Sequence, residues 1–117
     1  MAYLTRDGVL GQSSLREDAV SVPEWGGEVR VRELTVDERR SVLALARDKE
    51  GRATDTTEAA VKMVCWCALG EDGRPLFSDN DAAALKAKSA RAVERLAEAI
   101  GRMSGLAGSA VEDAAKN

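Results

Sequence analysis

The chain has no histidine. That removes the usual general base, the commonest metal ligand, and every Ser-His-Asp or Cys-His arrangement. Aromatic residues make up only 3% of the sequence, so aliphatic side chains and alanine must build the core. No apolar run approaches the roughly 20 residues of a membrane-spanning helix. The start, Met1-Ala2-Tyr3-Leu4, lacks the basic and apolar regions of a secretory signal. Neither charge sign dominates: 17 basic and 20 acidic residues give a net charge of -3. Acids interleave with bases along the chain, which is unlike a nucleic-acid footprint.

The two cysteines, Cys65 and Cys67, flank Trp66. At helical spacing they lie about 200° apart around the axis and cannot share a metal ion. They read as small buried apolar residues. Asp72-x-Arg74 and Asp79-x-Asp81 lack the closing glutamate of a calcium loop, and Trp25-Gly26-Gly27-Glu28 lacks the Lys-Ser/Thr of a phosphate loop. Turns and helix caps account for these residues, and nothing singles out a catalytic pair, metal or cofactor.

A chain of 117 residues makes one domain with a modest core. Residues 1–17 read as a flexible N-terminal arm containing one helical turn, and residues 18–117 as a single domain. Alternating valines, Val20 and Val22 before Pro23-Glu24-Trp25-Gly26-Gly27 and Val29 and Val31 after it, predict a β-hairpin. Its valine face packs on helices, Arg30 and Arg32 point to water, and Gly26-Gly27 supplies positive φ at the reversal. Thr35-x-x-Glu38 is a capping box that opens a helix running to about residue 49 and ended by Gly51. Asp55-x-x-Glu58 opens another, over residues 59–69, that is apolar around most of its circumference. Gly70 to Pro75 form a turn and Leu76-Phe77 an extended anchor. Ser78-x-x-Asp81 caps a further helix.

Val93, Leu96, Ala97, Ile100 and Met103 then form an amphipathic stripe, opposite Arg91, Arg95, Glu98 and Arg102 and closed by Gly105. Ser109-x-x-Glu112 caps a last turn. The expected class is mainly α with a small N-terminal hairpin (α+β), four to five short helices packed on that hairpin. The apolar surplus on the 59–69 helix makes Met63, Trp66 and Cys67 candidate partner-binding residues, together with Trp25 at the hairpin tip, because tryptophan is enriched in binding hot spots.

Several stretches, in this order, resemble the tail assembly chaperones of long-tailed bacteriophages. They are Val20-Ser21-Val22-Pro23-Glu24-Trp25-Gly26-Gly27, Val29-Arg30-Val31-Arg32-Glu33-Leu34-Thr35, Glu38-Arg39, Glu71-Asp72-Gly73-Arg74-Pro75-Leu76-Phe77, Ser89 followed by Leu96-Ala97-Glu98-Ala99-Ile100, Ser104-Gly105-Leu106 and the acidic, alanine-rich end. The resemblance implies a non-catalytic protein of the host bacterial cytoplasm, not retained in the virion. Such a protein binds and solubilises the tape measure protein and helps recruit the tail tube protein. It also implies a longer product made by ribosomal frameshifting near Ala115-Lys116-Asn117, whose extension engages the tube protein. The helical faces allow self-association, and neither nucleic acid nor membrane is an expected partner. A helical regulatory or antitoxin-like interaction module is the other reading of the same residues, and a non-catalytic enzyme subunit a further one.

Overall fold

A computed structural model describes residues 3–12, 15–52 and 55–106. Ser109, Glu112 and the Ala115-Lys116-Asn117 branch-point expectation lie outside these. The described chain is α+β: five helices and a three-stranded antiparallel sheet in the order β1-β2-β3. A first helix, α1 (Arg6–Leu10), is capped by Thr5, buries no residue and stands outside the core.

The hairpin forms as its valines require. Strand β1 (Glu17–Val22) pairs antiparallel with β2 (Gly27–Arg32), placing Val20 opposite Val29 and Asp18 opposite Val31. Val22 and Val31 are fully buried, while Val20 and Val29 are half-buried against the core. The reversal is a 3-10 turn over Pro23–Trp25, closed by the Gly26 N–H on the Pro23 carbonyl at 3.1 Å. Only Gly26 is left-handed, at φ 77°; Gly27, expected to share that role, is the first residue of β2. A turn built on one helical step needs a single positive φ.

Helix α2 (Val36–Leu45) carries the expected capping box: Thr35 Oγ1 accepts from Glu38 N–H, and Glu38 Oε1 accepts from Thr35 N–H at 3.0 Å. It stops four residues earlier than expected. The Asp48 carboxylate accepts from Glu50 N–H at 3.0 Å and Arg52 N–H at 2.8 Å, drawing the chain into a local turn that competes with helix. Arg32 does not point freely to water. Its guanidinium forks onto Glu38 at 2.8 and 3.0 Å and also donates to the Glu33 carbonyl, joining the end of β2 to the start of α2.

Both members of that pair are about four-fifths covered, and Arg32 holds the Glu38 carboxyl below the usual carboxylate range. Glu38→Gln would therefore leave a shielded guanidinium without its counter-charge and cost about 1–3 kcal/mol in a urea titration. A depressed folded pKa means that this stability is present above about 4.3, the ordinary glutamate value, and is lost as pH falls through the folded value. The variant should thus narrow its deficit against the unaltered protein in acid.

Helix α3 (Thr57–Cys67) is the central helix, in contact with α2, α4 (Ala82–Lys86) and α5 (Ala90–Met103). Its start differs from the expected box. Asp55 instead accepts from the backbone and hydroxyl of Thr57, and Glu58 pairs with Lys86 of α4. Its end differs too. Ala68 turns extended and, with Leu69, forms β3 (Ala68–Leu69) on the free edge of β2. A two-residue strand satisfies those apolar residues and the backbone edge together.

The Gly70–Pro75 turn folds as expected, with Gly70 N–H on the Arg74 carbonyl at 2.8 Å. Ser78 and Asp81 cap the 3-10 turn Asp79–Asp81 that leads into α4. Helix α5 starts at its cap Ser89 and buries Ala92, Val93, Leu96, Ala99, Ile100 and Gly101 against β1, β2 and α3. It ends with Gly105 at φ 79° and the Leu106 N–H on the Gly101 carbonyl at 2.8 Å, which tucks Leu106 into the core. Ser104 Oγ accepts from Leu34 N–H at 2.8 Å, tying this end to the β2–α2 junction.

Candidate partner-binding surface

The four residues expected to bind a partner separate into two pairs. Met63 and Cys67 belong to the core, at 6% and 0% exposure. Met63 lies against the Gly101 segment of α5, and Cys67 lies near the Arg32–Glu38 pair. Their assignment to an exposed face is corrected: α3 packs against α2, α4 and α5, so most of its apolar circumference, Met63 and Cys67 included, is covered by its own domain. Cys67 is so well shielded that its thiol is pushed up to about 12, and burial raises Cys65 as well. A thiolate is the reactive form. Both cysteines should resist alkylation in the native protein at neutral pH and label rapidly in denaturant, which mass spectrometry would read directly.

Trp25 and Trp66 are both partly exposed and packed against the core. Trp66 lies on the outer side of α3, where Lys62 Nζ sits 5.8 Å from the ring centroid and also 3.6 Å from Asp79. This cation–π contact covers part of the indole. Trp25 stands differently. It forms one wall of an open, largely apolar groove of ≈ 370 Å³, completed by Phe77, Ala84, Leu85, Asp81 and Lys88.

Local sequence explains each wall. Pro23 and Gly26 bound the 3-10 turn that presents Trp25. The Ser78–Asp81 cap turns the chain sharply after Phe77, so Phe77 and the following α4 face the same space. Phe77 and Leu85 were not among the expected site residues. The sole phenylalanine beside a turn was the available signal, but its pairing with Trp25 is long-range.

Charge adds to the packing that holds the tip. Arg95 Nε, on α5, donates to both carboxylate oxygens of Glu24 at 3.2 Å. The Glu24 carboxyl lies below its ordinary range, first because its own backbone N–H donates to it, then because of Arg95, with Arg91 adding to the effect. The arginine face of α5 is thus partly neutralised: Arg95 pairs with Glu24, and Arg102 pairs with Glu98 at 3.5 Å. Among the described residues no helix is long and apolar enough to cross a membrane, and no group of three or more His, Cys, Asp or Glu could hold a metal ion.

The solved structure of the bacteriophage HK97 tail assembly chaperone shares the fold, with a TM-score of 0.60 and 21% identity over 76% of this chain and 85% of that one. Comparison with curated proteins yields no match. The family model for the phage tail assembly chaperone matches residues 9–117, nearly the whole chain including all of the sheet and the groove, and on that match the protein belongs to the phage tail assembly chaperone family.

Proposed function

We infer that this chaperone binds and solubilises the tape measure protein of its own phage, with the groove between Trp25, Phe77 and Leu85 as the contact surface. The observation that carries the reading is that groove: an open apolar trough on a family member, walled by two aromatic side chains. A helical client could lay an apolar stripe there, the aromatic residues acting as anchors. Trp66 offers a second, smaller contact, shared with the Lys62 stem. The protein acts without catalysis, in the host cytoplasm, and helps recruit the tail tube protein before leaving the assembled tail. A longer form, branching by frameshift near Ala115-Lys116-Asn117, would supply the tube contact. An open −1 frame running on past these codons would support it, and a −1 frame closed within a few codons would remove it.

Co-expression tests the client. The soluble fraction of the tape measure protein should rise with the chaperone. Trp25→Ala should weaken the association by about tenfold or more, the scale of a hot-spot truncation. Trp66→Ala should weaken it less. Equal solubility with and without the chaperone would reject the reading.

A further inference from the structure

Trp25 is a groove wall carried on a short turn rather than on a helix or strand. Val22 anchors one side of the turn at full burial, whereas Gly26 and Gly27 on the other side meet nothing within 4 Å of a side-chain position. Among the described residues, the one side-chain hydrogen-bonded link from the tip to the helical body is Glu24 to Arg95. That link runs to α5, while the opposite groove wall is α4. The indole packs against the core, and its position relative to Leu85 rests on that packing together with an ion pair whose arginine is 45% and whose glutamate is 22% exposed.

The geometry points to Arg95 as a positioning residue: through Glu24 it holds the Trp25 ring in place as a groove wall, and release of that pair lets the hairpin tip swing outward and open the groove. The groove's role as a client site rests on the function proposed above; the tip's motion does not. A single pair whose arginine is about half exposed contributes modestly to folding and is weakened by salt. It can therefore bias a local two-state tip without endangering the domain. Arg91, which also faces Glu24 electrostatically, makes no hydrogen bond to it and cannot reproduce the two-oxygen grip.

The test is acrylamide quenching of Trp25 fluorescence in the full chain carrying Trp66→Phe, which leaves Trp25 as the one tryptophan. Arg95→Gln and Glu24→Gln should each roughly double the quenching constant, as should high salt on the parent, while circular dichroism and the urea midpoint hold. Arg91→Gln should have a clearly smaller effect. The charge-swapped double variant, Glu24→Arg with Arg95→Glu, should restore the parent value. Unchanged quenching in Arg95→Gln and in salt would overturn the proposal, as would an equal effect of Arg91→Gln. If quenching changes as expected while tape measure solubility ignores Trp25→Ala, the positioning role stands and the client assignment falls.

Discussion

Replacing Val31 by aspartate is expected to unfold the domain. Val31 is fully buried in β2, the central strand, with Asp18 as its cross-strand partner on β1 and Ala68 on β3. A carboxylate there would lose its hydration, meet no cation, and face a like charge at the paired position. Burying an unpaired charge exceeds the ordinary range of single substitutions, at more than about 4 kcal/mol. A small domain holds only about 5–15 kcal/mol in total. Val31→Ala removes methyl groups without adding charge and should cost about 2 kcal/mol, leaving a folded protein. Circular dichroism of the pair separates the mechanisms. A native spectrum for Val31→Asp would mean that β2 is not the centre of the sheet.

Leu96→Ala is expected to be the next most damaging change. Leu96 is fully buried near the middle of α5, the helix that packs on β1, β2 and α3 together. Helix propensity barely changes, so the loss is one of packing: the transfer free energy of the removed atoms plus the cavity they leave. That amounts to about 3–5 kcal/mol and a fall of more than about 10 °C in the thermal midpoint. Substitution at exposed Arg91 on the same helix should shift the midpoint by little. Similar losses at positions 91 and 96 would contradict the assigned helix face.

The elements that were legible in the sequence are those whose pattern is local. Valines alternating around Pro23 and Gly26 specify a hairpin because period two is visible within a few residues. Thr35 and Glu38 specify a helix start because both halves of the box lie one turn apart. The α5 stripe, Val93 to Met103, repeats through about three turns and leaves no other period. Strand β3 was not legible, since Ala68 and Leu69 continue an apolar run and become strand only because β2 offers them an edge. Met63 and Cys67 were misplaced for a related reason. A helix covered by its own neighbours and a helix that keeps an apolar face for a partner have the same composition. The groove is likewise tertiary: Trp25, Phe77 and Leu85 are brought together by the packing of the hairpin tip beside α4, and no spacing in the chain announces it.

The Trp25–Phe77–Leu85 groove is the proposed seat of the tape measure protein. Site-specific photocrosslinking measures this directly. A benzophenone side chain at Phe77, inside the groove, is compared with one at Val36, which is 88% exposed on α2 and does not line the groove. Each form is co-expressed with the tape measure protein and irradiated. A covalent adduct from position 77, lost on Trp25→Ala and absent from position 36, is the expected result. An adduct from position 36 with none from 77 would place the client outside the groove.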